Sequence, residues 1–143
     1  MTISEIQDQI IEEFGMFEEW MDKYEYLIEL GKTLPLISSE QKTPEHLIEG
    51  CQSRVWLHAS ADENAIVTFT ADSDAIITKG IVGLLIRVLS GKKATEIINA
   101  ELYFIEAIGL SENLSPTRSN GLLSMIKQMK MYAVAFNSLK SCK

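Results

Sequence analysis

The chain has 143 residues, one domain's length, and its 46% hydrophobic content is that of a globular protein, which excludes disorder, collagen and a disulfide-stapled miniprotein. Thirteen lysines and arginines against twenty aspartates and glutamates give a net charge of −7, which disfavours nucleic acid and anionic membranes as partners. The charge is uneven, with twelve acidic and three basic side chains in residues 1–50 and eight and ten in residues 51–143, so the acidity is the solvated face of N-terminal helices or a docking surface for a basic partner.

The first apolar stripe, Ile3, Ile6, Ile10 and Phe14, has helical spacing and is interrupted at Gly15. A second helix follows, with Phe17, Trp20, Met21, Tyr24, Leu27 and Ile28 as its apolar face and Gly31 and Pro35 as its stop. The polar segment 38–44 reads as a loop. From there the period changes to two. Residues 46–49 form a short strand candidate, and Val55, Leu57 and Ala59 alternate with Arg54, Trp56 and His58. A turn around 62–64 leads to the β-branched run 66–70, so an antiparallel hairpin is expected, with about three strands in all.

Asp72, Ser73 and Asp74 are helix-capping types ahead of Ile77, Ile81, Leu84, Leu85 and Val88, which share one helical face. Gly80 and Gly83 lie inside that helix, each at a cost of about 1 kcal/mol relative to alanine, and close backbone packing is the expected offset. A short helix over 94–99, an irregular stretch to Ser115 and a final helix from Pro116 to about Leu139 complete the pattern. Leu122, Met125, Ile126, Met129, Tyr132, Ala133 and Phe136 are the inward face of the last helix. Helices, then strands, then helices predict a single α+β domain spanning 1–143, a small antiparallel sheet packed by helices.

The most apolar stretch, 75–89, is interrupted by Lys79 and Arg87 and falls short of the roughly 18 residues of a membrane span. No secretory signal pattern opens the chain, so a cytosolic protein with Cys51 and Cys142 as free thiols is expected.

No glycine-rich phosphate loop, His-Glu-x-x-His pair or Cys-x-x-Cys motif is present. A zinc site would need both cysteines and both histidines, including Cys142 beside the terminus. A cysteine hydrolase needs an oriented histidine beside the thiol; His46 and His58 are the two available, and nothing in the sequence marks a group to orient either. Cys51 itself follows Gly50 and precedes Gln52 and Ser53 in a tight polar loop at the mouth of a strand. On these residues alone a reactive thiol and a small buried hydrophobe both stay open. Arg118, in the first turn of a helix capped by Ser115 and opened by Pro116, stands against the helix dipole. It holds an anionic neighbour or is solvated, and both readings stay open.

Four segments carry a resemblance. They are Lys23-Tyr-Glu-Tyr-Leu-Ile-Glu-Leu-Gly31 with Leu34-Pro35, Gly50-Cys-Gln-Ser-Arg-Val-Trp56, Asp72-Ser-Asp-Ala-Ile-Ile-Thr-Lys-Gly80, and Leu114-Ser-Pro-Thr-Arg-Ser-Asn-Gly-Leu122. In this order they resemble the SufE family of sulfur-acceptor proteins along nearly the whole chain. The resemblance implies a fold shared with iron–sulfur scaffold proteins and a cytosolic partner of a pyridoxal-phosphate cysteine desulfurase, SufS-like, in iron–sulfur cluster assembly. By position Cys51 is then the acceptor that takes sulfane sulfur as a persulfide and so stimulates the desulfurase. Gly50, Gln52, Ser53, Asp74 and Arg118 are implied as loop or sulfur-path residues, and a downstream iron–sulfur scaffold as the recipient. No cofactor or metal is expected on this chain, and the protein is expected to act as a monomer or weak homodimer, with Cys51 tucked against its own apolar surface until a partner docks. Arg54 falls where the family pattern is loose, and Cys142 lies outside the matching segments. The alternatives are a non-catalytic activator that reshapes a desulfurase and a free-standing cysteine hydrolase.

Overall fold

The structure, a computed structural model, describes residues 1–48 and 53–141. Helix α1 (Ile3–Gly15) opens on a reciprocal cap in which the Glu5 N–H donates to the Thr2 hydroxyl at 3.1 Å and the Thr2 N–H to the Glu5 carboxylate at 3.0 Å. Its stripe of Ile3, Ile6, Ile10 and Phe14 is buried as expected. Gln7 is buried among them and stays satisfied by two backbone groups: its Nε2 donates to the Glu101 carbonyl and its Oε1 accepts from the Phe104 N–H. That amide pins α1 to residues 101–104.

Helix α2 (Trp20–Gly31) crosses α3 (Ile76–Leu89) at very short range. A Cβ built on Gly80 would stand 2.2 Å from the Leu27 carbonyl oxygen, and one on Gly31 would stand 2.9 Å from the Gly80 nitrogen. The expected close packing is therefore real at Gly80. At Gly83 it is not, because a Cβ there meets its nearest neighbour at 3.8 Å, ordinary contact distance. Met21, assigned to the apolar face of α2, is 64% exposed: Leu27 is buried in the core, while Met21 faces solvent.

Strands β1 (Val55–Ala61), β2 (Ile66–Ser73) and β3 (Lys92–Lys93) form an antiparallel sheet in that order. The inner face, with Val55, Leu57, Val67, Phe69 and Ala71 fully buried, joins one core cluster with residues of α1, α3 and α7 (Pro116–Ser141). The third strand is not where the sequence suggested. Residues 44–46 form a single 3-10 turn opened by Pro44, and among the described residues the expected strand amounts to a bridge from Leu47 to Trp56 and the Ile48 N–H bond to the Val55 carbonyl; β3 instead follows α3, where Gly91, at φ +79°, turns the chain back onto Val67.

Asp72 and Ser73 do not cap α3. They continue β2, paired with Trp56 and Val55, and the helix begins after Ala75 without a side-chain cap. Pairing with Trp56 and Val55 carries the strand through both residues, and their side chains serve the strand end instead, the Asp72 carboxylate accepting from the Ser73 N–H and the Ser73 hydroxyl donating to the Arg54 carbonyl. Helix α4 (Ala94–Ile98) lies where a short helix was expected, and the stretch from there to Ser115, expected to be irregular, holds the short helices α5 (Phe104–Ala107) and α6 (Leu110–Asn113). Among the described residues no helix is long and apolar enough to cross a membrane.

Residues 35–48 have a distinctive course. Near Leu36 they run along one edge of β2, where the Ile37 N–H donates to the Ala71 carbonyl and the Ala71 N–H to the Pro35 carbonyl, each at 3.0 Å. At Ile48 they pair with the opposite edge, on β1, through an N–H to the Val55 carbonyl at 2.9 Å. The chain between these anchors straps the sheet face away from the core.

Candidate functional site

Gly50, Cys51 and Gln52 lie outside the described residues, as does Cys142; the residues that flank the Cys51 segment define the site. On its near side the strap delivers the chain at Ile48. On its far side β1 is fastened to the start of α3. The Arg54 N–H donates to the Asp74 carboxylate at 3.0 Å, the Asp74 N–H donates to the Arg54 carbonyl at 3.2 Å, and the Ser73 hydroxyl donates to that same carbonyl at 2.8 Å. Asp74 is therefore an anchor for the exit of the segment and not the opening residue of the helix.

Ser53 meets Arg118 at a small pocket of about 20 Å³, large enough for one water or one heavy atom. Thr78 and Ile81 of α3 and Thr117, Gly121 and Met125 of α7 complete its lining. The N-terminus of α7 is built as the sequence indicated. Ser115 caps it, its hydroxyl accepting from the Arg118 N–H at 3.3 Å, and Pro116 opens the first turn. The exposed Arg118 guanidinium reaches back to α2, where Nη1 donates to the Tyr24 hydroxyl at 3.5 Å. An arginine, the positive end of a 26-residue helix and three hydroxyl side chains thus converge two residues from Cys51. Such a setting favours an anion over a neutral group. Of the residues singled out in the sequence, Ser53 and Arg118 line this pocket and Asp74 lies against Arg54; Thr78 and Thr117 line the pocket too, and Tyr24, whose spacing reads as apolar helix face, meets Arg118.

The two histidines face each other with ring centroids 5.3 Å apart. His46 Nδ1 lies 3.1 Å from the Thr43 hydroxyl and His58 Nε2 lies 3.1 Å from Gln41 Nε2. Burial, and then the neighbouring His46, hold the His58 imidazole below its ordinary value. Among the described residues neither ring has a carboxylate in ion-pair range; the polar partners are the Thr43 hydroxyl for His46 and the Gln41 amide for His58. Nor do three or more His, Cys, Asp or Glu side chains converge as a metal site among them.

The sequence matches, over residues 8–133, the family model described as SufE, Fe-S metabolism associated domain. The chain belongs to the SufE family. An uncharacterized SufE-like protein of Rhizobium etli is 49% identical over 127 residues, covering 86% of each chain. A second, from Rhizobium meliloti, is 45% identical over 130 residues and covers 88% of this chain and 93% of its own. SufE-like protein 1, chloroplastic/mitochondrial, of Arabidopsis thaliana is 42% identical over 126 residues, which are 88% of this chain and 34% of that longer one. The fold is shared with the solution structure of a hypothetical protein from Thermus thermophilus, at a TM-score of 0.76 and 19% identity over 93% of this chain and 96% of that one. Membership of the SufE family ties the chain to iron–sulfur metabolism.

Proposed function

We propose that the protein is a sulfur acceptor that takes sulfane sulfur from a cysteine desulfurase onto Cys51 and passes it on for iron–sulfur cluster assembly. The observation that carries this reading is the convergence of Arg118, the N-terminus of α7 and Ser53 beside the Cys51 segment, in a chain of the SufE family. The Cys51 thiolate attacks the terminal sulfur of the partner's persulfide. The S–S bond of that persulfide breaks, the partner cysteine leaves as a thiolate and takes up a proton from solvent, and Cys51 holds the new persulfide with no net oxidation. Arg118 and the α7 N-terminus raise the thiolate fraction of the attacking sulfur and stabilise the persulfide anion. The pyridoxal phosphate that generates the sulfur belongs to the desulfurase, and the cytosol is where the two proteins meet.

Incubation with a cysteine desulfurase and free cysteine, followed by mass spectrometry, tests the reading. A gain of about 32 Da, one sulfur atom, on the peptide that holds Cys51 is the expected result. Cys51→Ser should fold and gain nothing. If that variant stimulates desulfurase turnover as well as the wild type does, the protein is an activator that carries no sulfur.

A further inference from the structure

Residues 35–48 are fastened to both edges of the sheet by backbone hydrogen bonds, while their middle is held to the sheet face by side chains. Lys42 lies 4.5 Å over the Trp56 ring and 2.9 Å from the Asp72 carboxylate; Gln41 meets His58; His46 packs edge-on against His58. The His46 turn runs directly into Leu47 and Ile48, the last described residues before the Cys51 segment.

We propose that the His46–His58 contact is a proton-sensitive latch: with His58 neutral the strap is seated across the sheet, and protonation of His58 releases it as far as Ile48, the last described residue before the Cys51 segment. As regulation of the Cys51 site, the inference rests on the sulfur-acceptor reading; as a property of the strap, it stands on the geometry alone.

Two features make the latch sensitive to protons. The Gln41 amide nitrogen donates to Nε2 of a neutral His58, which an imidazolium cannot accept, so protonation of His58 requires the amide to turn its oxygen to the ring. A charge on His58 would also be opposed by partial burial and by the neighbouring His46, whose ring centroid is 5.3 Å away.

Among the described residues no carboxylate is ion-paired to either ring. From the strap, His58 is faced by Gln41 and His46, with Lys42 close by. On the sheet its neighbours are Trp56 on β1 and Thr70 and Asp72 on β2. Asp72 already binds Lys42 at 2.9 Å and Lys79 of α3 at 3.3 Å. Around His46 are Thr43, the exposed Glu45 and, from α7, Lys127 and Tyr132.

The sign follows from linkage. A histidine held below its free value binds fewer protons in the seated state than in the released one. The seated strap is therefore favoured above the ordinary imidazole value near 6.5 and is progressively lost as the pH falls below it.

Amide hydrogen exchange by NMR reads this directly. The protection factor of the Ile48 N–H, referred to that of the Gly91 N–H bound to Val67, is expected to fall roughly tenfold between about pH 7.5 and about pH 5.5. In His58→Gln, which keeps a polar partner for Gln41, the ratio should stay level, and in His46→Gln the slope should shrink. A level ratio in the wild type, or a His58→Gln profile that follows the wild type, overturns the latch. Gly91 protection reports whether each variant is folded; if His58→Gln is not, the wild-type and His46→Gln profiles decide. Sulfur uptake by Cys51 at about pH 8, where the strap is seated, is measured alongside. Uptake with a level Ile48 profile defeats the latch alone, and a pH-dependent profile without uptake defeats the sulfur-acceptor reading alone.

Discussion

Asp74 and Arg54 bind each other through the main chain and through a side chain, closing the end of the β1–β2 hairpin just after the Cys51 segment. Removal of the carboxylate in Asp74→Ala leaves an exposed N–H that water can satisfy, so the expected loss of stability is about 0.5–1.5 kcal/mol by urea titration. The sharper readout is local. Amide exchange at Arg54 should accelerate in the variant while exchange at Phe69 stays unchanged; equal acceleration at both would mean that the contact serves the whole fold and not the end of the hairpin.

Gly80 and Gly83 sit in the same helix and should respond oppositely to the same added methyl group. Gly80→Ala drives a Cβ against the Leu27 carbonyl and forces α2 and α3 apart, at a cost of about 1–3 kcal/mol. Gly83→Ala enters an apolar cleft of about 230 Å³ bordered by Leu30, Leu34 and Ile86, and should gain up to about 1 kcal/mol from helix propensity. Thermal unfolding of the two variants checks the contrast, and a destabilised Gly83→Ala would contradict the geometry.

Glu13 joins α1 to α3 through a forked ion pair with Arg87, in which Nη1 donates at 2.9 Å and Nη2 makes the second bond. The hydrogen bonds from Arg87 hold the Glu13 carboxyl below the ordinary value near 4.5. A carboxyl held low contributes stability that is complete above that value and disappears as the pH falls through its folded-state value. Glu13→Gln should cost about 1 kcal/mol at neutral pH, and the difference from wild type should vanish in acid. Urea midpoints at a series of pH values measure it.

Arg118→Ala tests the electrostatic part of the proposed chemistry. Sulfur uptake by Cys51 at neutral pH should slow by roughly threefold to tenfold, with the melting temperature unchanged because the side chain is exposed. The deficit should narrow toward about pH 9, where the thiol ionises without help. A deficit that is constant with pH would assign Arg118 to partner binding.

Much of this was legible from periodicity. The stripes of α1, α3 and α7 and the alternation of β1 report the side of each element that meets the core, and burial of that side is what folds the chain. The Ser115-Pro116 start of α7 was equally plain, since a capping hydroxyl followed by proline has few other uses. Asp72 and Ser73 misled because the same side chains suit a cap and a strand end, and only the pairing with Val55 and Trp56, set by the whole hairpin, decides between them. The third strand was missed because Lys92 and Lys93 have no alternating pattern to show; β3 exists because Gly91 reverses the chain beside Val67. At the site, Arg118 was conspicuous as a cation at the wrong end of a helix. Tyr24 and Thr78 were silent, because their roles come from a helix crossing that no local pattern encodes.

The double anchoring of residues 35–48 also bears on how other proteins can approach. Pro35 and Ile37 occupy hydrogen-bonding positions beside Ala71, Ile48 takes the Val55 carbonyl, and the Tyr132 hydroxyl reaches the Leu57 carbonyl at 3.4 Å. Backbone groups that would otherwise template a foreign strand are already engaged along these stretches, which guards a small sheet against edge-to-edge aggregation. Along these stretches a visiting protein would have to use side chains and helix surfaces rather than extend the sheet.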